Sequence, residues 1–372
     1  MSRLPSRLLQ LPMLALGSIT RLLGPRGYPP NPRRILLAHH LLLGDTLMLA
    51  ALLAKLRQQH PQAEIVMSCP TAIVPLFAAQ PWGVRALPYD PRKAATLKAL
   101  WRERSFDLAL VAGDSRFSAL ARALGARHIV ALAGDTPNYK NWFVDEQRAW
   151  PEQPTPLPEI FASLARGADA AGYTPADWPL AESKSFSLPA KPYAVLHLGA
   201  SSALKQWPAE RWTALAAALS AQGITPVWSA GKHETALVVA VDPQARYTSY
   251  AGMLDLLQLA QLLAGARLLV SPDTGVAHLG RITATPSVIL FGPGSAMLCA
   301  DSAFFSASPV RALSAAIACR DQKILFRRQI SWVERCGRSR GDGATQCARA
   351  RCMEALSLQS VLDACQSLLK AS

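Results

Sequence analysis

The chain has 372 residues, half of them hydrophobic and 17% charged, with a mean hydropathy of +0.14. That composition can bury enough apolar surface to exclude intrinsic disorder, and at roughly 150 residues per domain the length predicts two domains. Lys plus Arg number 39 against 25 Asp plus Glu, a formal charge of +14, which points to an anionic partner (nucleotide, phosphate, nucleic acid or membrane surface) without choosing among them.

The first 44 residues hold Arg3, Arg7, Arg21, Arg26, Arg33 and Arg34 and no acid. Residues 1–32 read as a basic amphipathic N-terminal arm. Its apolar stretch, Leu8 to Leu23, is interrupted by Gln10, Pro12 and Arg21. Those breaks, and the lack of an Ala-x-Ala cleavage site, disfavour a secretory signal. Two readings remain: a helix on an anionic membrane surface, and a helix packed on the domain. No stretch reaches the roughly 20 uninterrupted apolar residues of a spanning helix.

From Arg34 an alternation begins. Arg34–His39 predicts a buried strand and Asp45–Gln58 a helix, then strand Glu64–Ser68, helix Thr96–Arg104, strand Phe106–Ala112, helix Ser115–Leu124 and strand Arg127–Leu132. Strands alternating with helices at this spacing predict a parallel sheet covered on both faces. Residues 33–150 form this first domain. Pro151, Pro154, Pro156 and Pro158 then mark a proline-rich linker region, 151–192.

The alternation restarts with strand Tyr193–Leu198, helix Ala209–Gln222, strand Thr225–Ala230, helix Leu254–Leu263, strand Leu268–Ser271, helix Val276–Ile282 and strand Ser287–Phe291. A second doubly wound domain therefore spans 193–352, with a Cys/Arg-rich segment at 319–352 and a C-terminal helix at 353–372. In such sheets ligands bind beyond the carboxyl ends of the strands.

No Gly-x-Gly-x-x-Gly, Walker A loop, His-Glu-x-x-His or Asp-x-Asp occurs, so dinucleotide, P-loop, zinc-protease and acidic metal-chelating signatures are absent. Three weaker signals remain. Ser271-Pro-Asp-Thr-Gly-Val-Ala-His278 closes a strand and opens a helix. Free N–H groups at such a start attract anions, and Gly275 lets one approach; an ordinary N-cap gives the same pattern. Gly199-Ala-Ser-Ser-Ala-Leu-Lys205-Gln-Trp207-Pro208 is a flexible loop after a strand, with Ser201 and a point charge at Lys205. Leu43-Gly44-Asp45 puts a carboxylate where the first strand turns into a helix.

Together these signals, with Phe291-Gly292-Pro293, resemble glycosyltransferase family 9, the ADP-heptose:lipopolysaccharide heptosyltransferases. The resemblance covers roughly Arg34 to Phe291. It implies an α/β GT-B fold: two facing Rossmann-like doubly wound domains, with a C-terminal helix returning to the first domain. It also implies an inverting, metal-independent transfer of a sugar from a nucleotide-sugar, ADP-linked, to a lipopolysaccharide-core or related acceptor. No cofactor is expected beyond that substrate. The resemblance makes Asp45 the general base and Lys205 the stabiliser of the leaving diphosphate. It makes Ser201, Lys205, Glu234, Asp273, Thr274, Gly275 and His278 the donor-binding set. The loop before Gly44-Asp45 departs from the small hydroxyl residues common in the family; His39 and His40 stand there as candidate acceptor contacts.

Cys319, Cys336, Cys347 and Cys352 lie among nine basic residues. Separately reduced thiols, a structural zinc site and disulfides all remain open, since the spacing is unlike a compact ribbon. The expected setting is cytoplasmic, peripheral on the inner face of the cytoplasmic membrane. The competing functional classes are a non-catalytic two-domain binder of a phosphorylated ligand, and a nucleic-acid binder suggested by charge alone.

Overall fold

The computed structural model describes residues 4–23, 27–190 and 192–371. They fall into two compact units. The first holds the chain to Ala171, Ala176–Ala181 and Ile324–Ser331; the second holds Gly172–Pro175, Glu182–Lys323 and the chain from Trp332. Among the described residues no helix is long and apolar enough to cross a membrane.

In the first unit the elements run α1 (Leu4–Leu23), β1 (Arg34–Ala38), α2 (Leu43–Met48), α3 (Ala50–Gln59), β2 (Glu64–Cys69), β3 (Val84–Pro88), α4 (Ala94–Trp101), β4 (Leu108–Val111), α5 (Phe117–Ala123), β5 (His128–Leu132), β6 (Glu146–Arg148) and α6 (Leu157–Ala162). The six strands are parallel in the order β3-β2-β1-β4-β5-β6, the doubly wound dinucleotide-domain order. Leu36 registers with Val66 on one side and Ala109 on the other. All three are fully buried, because helices cover both faces of a parallel sheet.

The second unit contains β7 (Tyr193–His197), α7 (Ala209–Ala221), β8 (Thr225–Ser229), α8 (Thr235–Val241), α9 (Leu256–Ala264), β9 (Leu268–Pro272), α10 (Gly275–Ile282), β10 (Ser287–Phe291), α11 (Ala296–Cys299), β11 (Val310–Ser314), and, after the excursion through Ile324–Ser331, α12 (Arg351–Glu354) and α13 (Leu358–Ala371). Its parallel sheet is ordered β11-β10-β9-β7-β8, the flavodoxin-like arrangement. Helix α9 starts with a full capping box between Asp255 and Gln258.

Four expectations change. The helix expected over 45–58 is two helices, parted at Leu49, whose N–H tightens onto the Thr46 carbonyl at 3.2 Å. The proline-rich stretch does not simply separate the units: Pro158 sits in the first turn of α6, and Leu157, Ile160 and Phe161 are buried in the first unit. The C-terminal helix does not return to the first unit. Val361, Ala364, Cys365 and Leu368, at i, i+3, i+4 and i+7, make an apolar stripe buried in the second unit's core with Trp207, Trp212 and Leu290. What returns to the first unit is the short hairpin β12 (Ile324–Leu325) and β13 (Arg328–Gln329). Finally, β3, β6 and β11 were not visible in the sequence. Each is a sheet edge and only partly buried, so none carries a continuous apolar run.

Candidate functional site

In the second unit the strand order reverses between β7 and β9: β8 lies on one side and β10 and β11 on the other. At such a point the loops diverge and leave a crevice. The loop after β7 carries Lys205 and the loop after β9 carries Asp273, and the two meet. The Lys205 ammonium donates to the Asp273 main-chain carbonyl at 2.6 Å and to its Oδ2 at 2.9 Å. Asp273 is buried. Thr274, extended, precedes α10, and no side chain caps that helix start, so the setting favours an anion.

Gly294, after β10, packs against the same carboxylate. A Cβ there would sit 2.3 Å from Asp273 Oδ2. His278 follows on α10, buried, its pKa pushed down to about 4 by burial and by the Arg281 charge. It is therefore a neutral imidazole at pH 7, and its Nδ1 finds no partner among the described residues.

Glu234 is a brace between loops. Its Oε1 accepts from the Ala200 N–H at 2.9 Å and its Oε2 from the Gly231 N–H at 2.8 Å. A Cβ at Gly199 would lie 2.1 Å from Oε2. Ser201 is exposed on the same loop, and Ser202 caps its short turn by accepting from the Leu204 N–H. Trp207 is buried; its indole N–H donates to the Leu356 carbonyl at 2.9 Å, so it anchors the Lys205 loop and does not face a ligand. A separate cavity of about 580 Å³, lined by Trp207, Arg211, Arg340 and Arg349 among others, includes neither Lys205 nor Asp273.

Ligand atoms of Asp273, His278 and Cys299 lie within 4.8 Å of one another, the one set of three metal-capable side chains among the described residues. Lys205 already occupies the Asp273 carboxylate, so a cation there has to displace an ammonium. Sequence patterns missed Cys299, which is 21 residues beyond His278 with no motif between them. The late cysteines are not gathered: no three of Cys319, Cys336, Cys347 and Cys352 bring their sulfurs within 4.8 Å, and no disulfide forms among the described residues. The Cys336 N–H is tied to Pro293, Cys347 sits on a two-residue strand, and Cys352 is buried on α12. Among the described residues these four sulfurs are not gathered as a four-ligand zinc site requires.

In the first unit the order reverses between β1 and β4. Asp45 lies half-buried in the first turn of α2, after that reversal. His39 and His40 part company. His39 is fully buried; its Nδ1 accepts from the Leu41 N–H at 3.2 Å, and burial pushes its pKa down to about 3. It supports the loop from beneath and does not present a face to a ligand, a correction to its candidate role. His40 is exposed and stands edge-on to Tyr89.

A residue with no sequence signal completes this end of the sheet. Arg328, from the returning hairpin, is 1% exposed. Its guanidinium donates to the carbonyls of Gly113, Leu132 and Ala133 and to Ser115 Oγ, at 2.6–3.0 Å, and lies 3.6 Å from Asp135. Asp135 also takes the Lys140 ammonium at 2.9 Å. Phe326 packs near Gly113, where Leu41 also lies.

The family model for glycosyltransferase family 9 (heptosyltransferase) matches residues 94–303, more than half of the chain. The chain belongs to glycosyltransferase family 9. Among curated family proteins, it is 34% identical over 108 residues to lipopolysaccharide heptosyltransferase 1 of Pseudomonas aeruginosa; the match spans 28% of this chain and 30% of that protein. Among solved structures, the family 9 glycosyltransferase of Veillonella parvula aligns with a TM-score of 0.70 at 17% identity, covering 92% of this chain and 99% of the other. The ADP-heptose lipopolysaccharide heptosyltransferase II of E. coli aligns at 0.67 and 20% identity, covering 91% and 99%. The fold is thus that of the family's two-domain enzymes. The family match includes Lys205, Glu234 and Asp273 to His278; His39, His40, Asp45 and Arg328 lie outside it.

Proposed function

We propose that the chain transfers a heptose from ADP-heptose to a lipopolysaccharide-core or related glycan, with inversion and without a metal. The observation that carries this reading is the Lys205–Asp273 pair at the uncapped start of α10. An ammonium and open helix N–H groups suit a diphosphate, and a carboxylate suits sugar hydroxyls. The E. coli relative named above is an ADP-heptose enzyme, which supports the adenine-linked donor. The acceptor is lipid-borne in this reading, and the reaction runs on the inner face of the cytoplasmic membrane.

Each unit supplies one set of groups. In the first, Asp45 takes the proton of the acceptor hydroxyl as that oxygen attacks the anomeric carbon. The bond from that carbon to the diphosphate breaks, and the electron pair leaves with the nucleoside diphosphate. In the second, Lys205 and the α10 N–H groups meet the charge that develops there, strongest at the transition state. Glu234 holds the β7 and β8 loops in the shape that receives the nucleotide, and Ser201, Thr274 and Gly275 line the phosphate path.

The test is ADP release from ADP-heptose with a lipopolysaccharide-core acceptor. Asp45→Asn should lower the rate about 100- to 10,000-fold, the usual worth of a general base, while ADP binding stays within a factor of about two. Near-normal turnover in this variant would remove Asp45 from the chemistry. The wild-type rate should persist in excess EDTA; strict dependence on added Mg²⁺ would remove Lys205 as the sole counter-charge.

A further inference from the structure

Helix α1 divides its surface between two environments. One face is docked on the first unit: Ser6, Met13 and Gly17 are buried, with Leu9 and Leu14 packed on the same core. The docking is close. A Cβ at Gly17 would lie 1.8 Å from the Arg122 carbonyl oxygen of α5. Arg21 closes the end through Asp145 at 2.7 Å. The opposite face is apolar and uncovered. Leu8, Leu11, Leu16, Ile19 and Leu22 are between 47% and 65% exposed, and Pro12 and Ala15 fill the row between them. Their spacing follows the helix repeat. Five of the large exposed apolar side chains of the molecule thus share one stripe, and the rise from Leu8 to Leu22 spreads them over roughly 20 Å. Scattered surface leucines are ordinary, but a contiguous row marks a contact surface.

The charge beside the stripe selects the occupant. The first 44 residues contain no acid. Helix α4, a packing neighbour of α1, brings Arg92, Lys93, Lys98 and Arg102, all exposed, in a segment, 91–102, that also lacks any acid. Aromatic anchors stand nearby. Tyr139 and Trp142, 58% and 78% exposed, meet edge-to-face at 6.2 Å, three residues before the Asp145 that holds Arg21 and next to α5, on which α1 lies. Leucines flanked by cations with exposed Trp and Tyr are the chemistry of a bilayer interface, where acyl chains, anionic headgroups and the amphipathic boundary each find a partner. A protein partner would gain little from cations around an apolar row.

We infer that the outer face of α1, with Trp142 and Tyr139, seats the first unit on an anionic lipid bilayer, as an in-plane helix sandwiched between lipid and protein. The docking face needs no step of the transfer reaction, so vesicle binding without nucleotide-sugar stands or falls apart from the transfer assay.

The experiment is co-sedimentation of the full chain with vesicles of phosphatidylglycerol and phosphatidylcholine, and with phosphatidylcholine alone. Wild type should bind the anionic vesicles, bind the neutral ones more weakly, and lose part of the difference in high salt. The variant Leu11→Gln/Leu16→Gln/Ile19→Gln should bind roughly 100-fold more weakly, because three large apolar groups no longer enter the interface. Its thermal midpoint and ADP affinity should match wild type, since these side chains touch no core. Trp142→Phe should remove a vesicle-induced blue shift of tryptophan emission. Full binding by the triple variant, or no binding by wild type, overturns the inference. So does a wild-type dimer that the triple variant converts to monomer, which would assign the stripe to a second copy of the chain.

Discussion

Three histidines are buried where an imidazolium cannot be solvated: His39 beside Ser68 under the first unit's loop, His197 against Ser229 Oγ, and His278 on α10. Burial holds their pKa values at about 3, 4 and 4, below the ordinary 6.5. The unfolded chain therefore binds more protons than the folded one between roughly pH 4 and 6.5. Stability from these groups is full above 6.5 and is lost as pH falls through that window, at most about 1.4 kcal/mol per pH unit for each histidine. Urea unfolding at pH 7, 6 and 5 should show the loss, and His39→Leu should reduce the slope by about a third; an unchanged slope would mean that His39 takes up its proton without unfolding. At this scale the site was half legible. Lys205 and Asp273 were visible because each sits in a small-residue loop directly after an apolar strand, where chemistry collects in α/β sheets. Glu234's grip on two backbone N–H groups was not, since which donors surround a carboxylate is settled by loop shape. His39 was misjudged because neighbouring residues at a strand end alternate between core and surface, and sequence does not say which of two histidines points inward.

Elements follow the same division between central and peripheral. The strands that carry other strands on both sides, such as β1, β4, β9 and β10, were legible as apolar runs, as was the largely buried edge strand β8, while the edge strands β3, β6 and β11, with Arg85, Arg148 and Arg311 in them, were not. The C-terminal helix was placed on the first unit by the family resemblance alone; its stripe of Val361, Ala364, Cys365 and Leu368 marks a buried face and is silent about against what. The returning hairpin had no periodicity at all; Arg328 is its most buried side chain, with Phe326 packed beside Phe161. Arg328 satisfies carbonyls at the ends of β4 and β5, sharing that of Ala133 with the Trp150 indole N–H. Arg328→Ala should leave those acceptors and Asp135 underserved in a dry site and cost about 3–5 kcal/mol. Arg328→Lys should recover only a small part, because an ammonium cannot reproduce the planar fork. Chemical unfolding of the full chain checks this, with hydrogen exchange over 324–331 as the local readout. An alanine variant within about 0.5 kcal/mol of wild type would show that the backbone of the hairpin, not its arginine, does the holding.

At the scale of the molecule, two sheets of different strand order each have their own core, and their switch points lie after β1 in one and β7 in the other. Two domains were legible from length and from the restart of the alternation. The crossing of the chain between them was not, because it depends on a hairpin too short to show a pattern. The proposed division of chemistry between the units has a measurable consequence. Every proposed donor contact (Ser201, Lys205, Glu234, Asp273, Thr274, Gly275 and His278) belongs to the second unit. Ligand that binds one folded unit stabilises that unit by mass action, about 2.7 kcal/mol at 100 times its dissociation constant. ADP should therefore slow amide exchange in the loops 199–206, 230–234 and 273–278 and in the strands they leave. Residues 39–49 of the first unit, where Asp45 and His40 stand, should exchange at the ligand-free rate with ADP alone. Hydrogen-exchange mass spectrometry of the full chain, with and without ADP, separates the two. Protection centred on 39–49 would move the nucleotide to the first unit and overturn the assignment of Lys205 and Asp273.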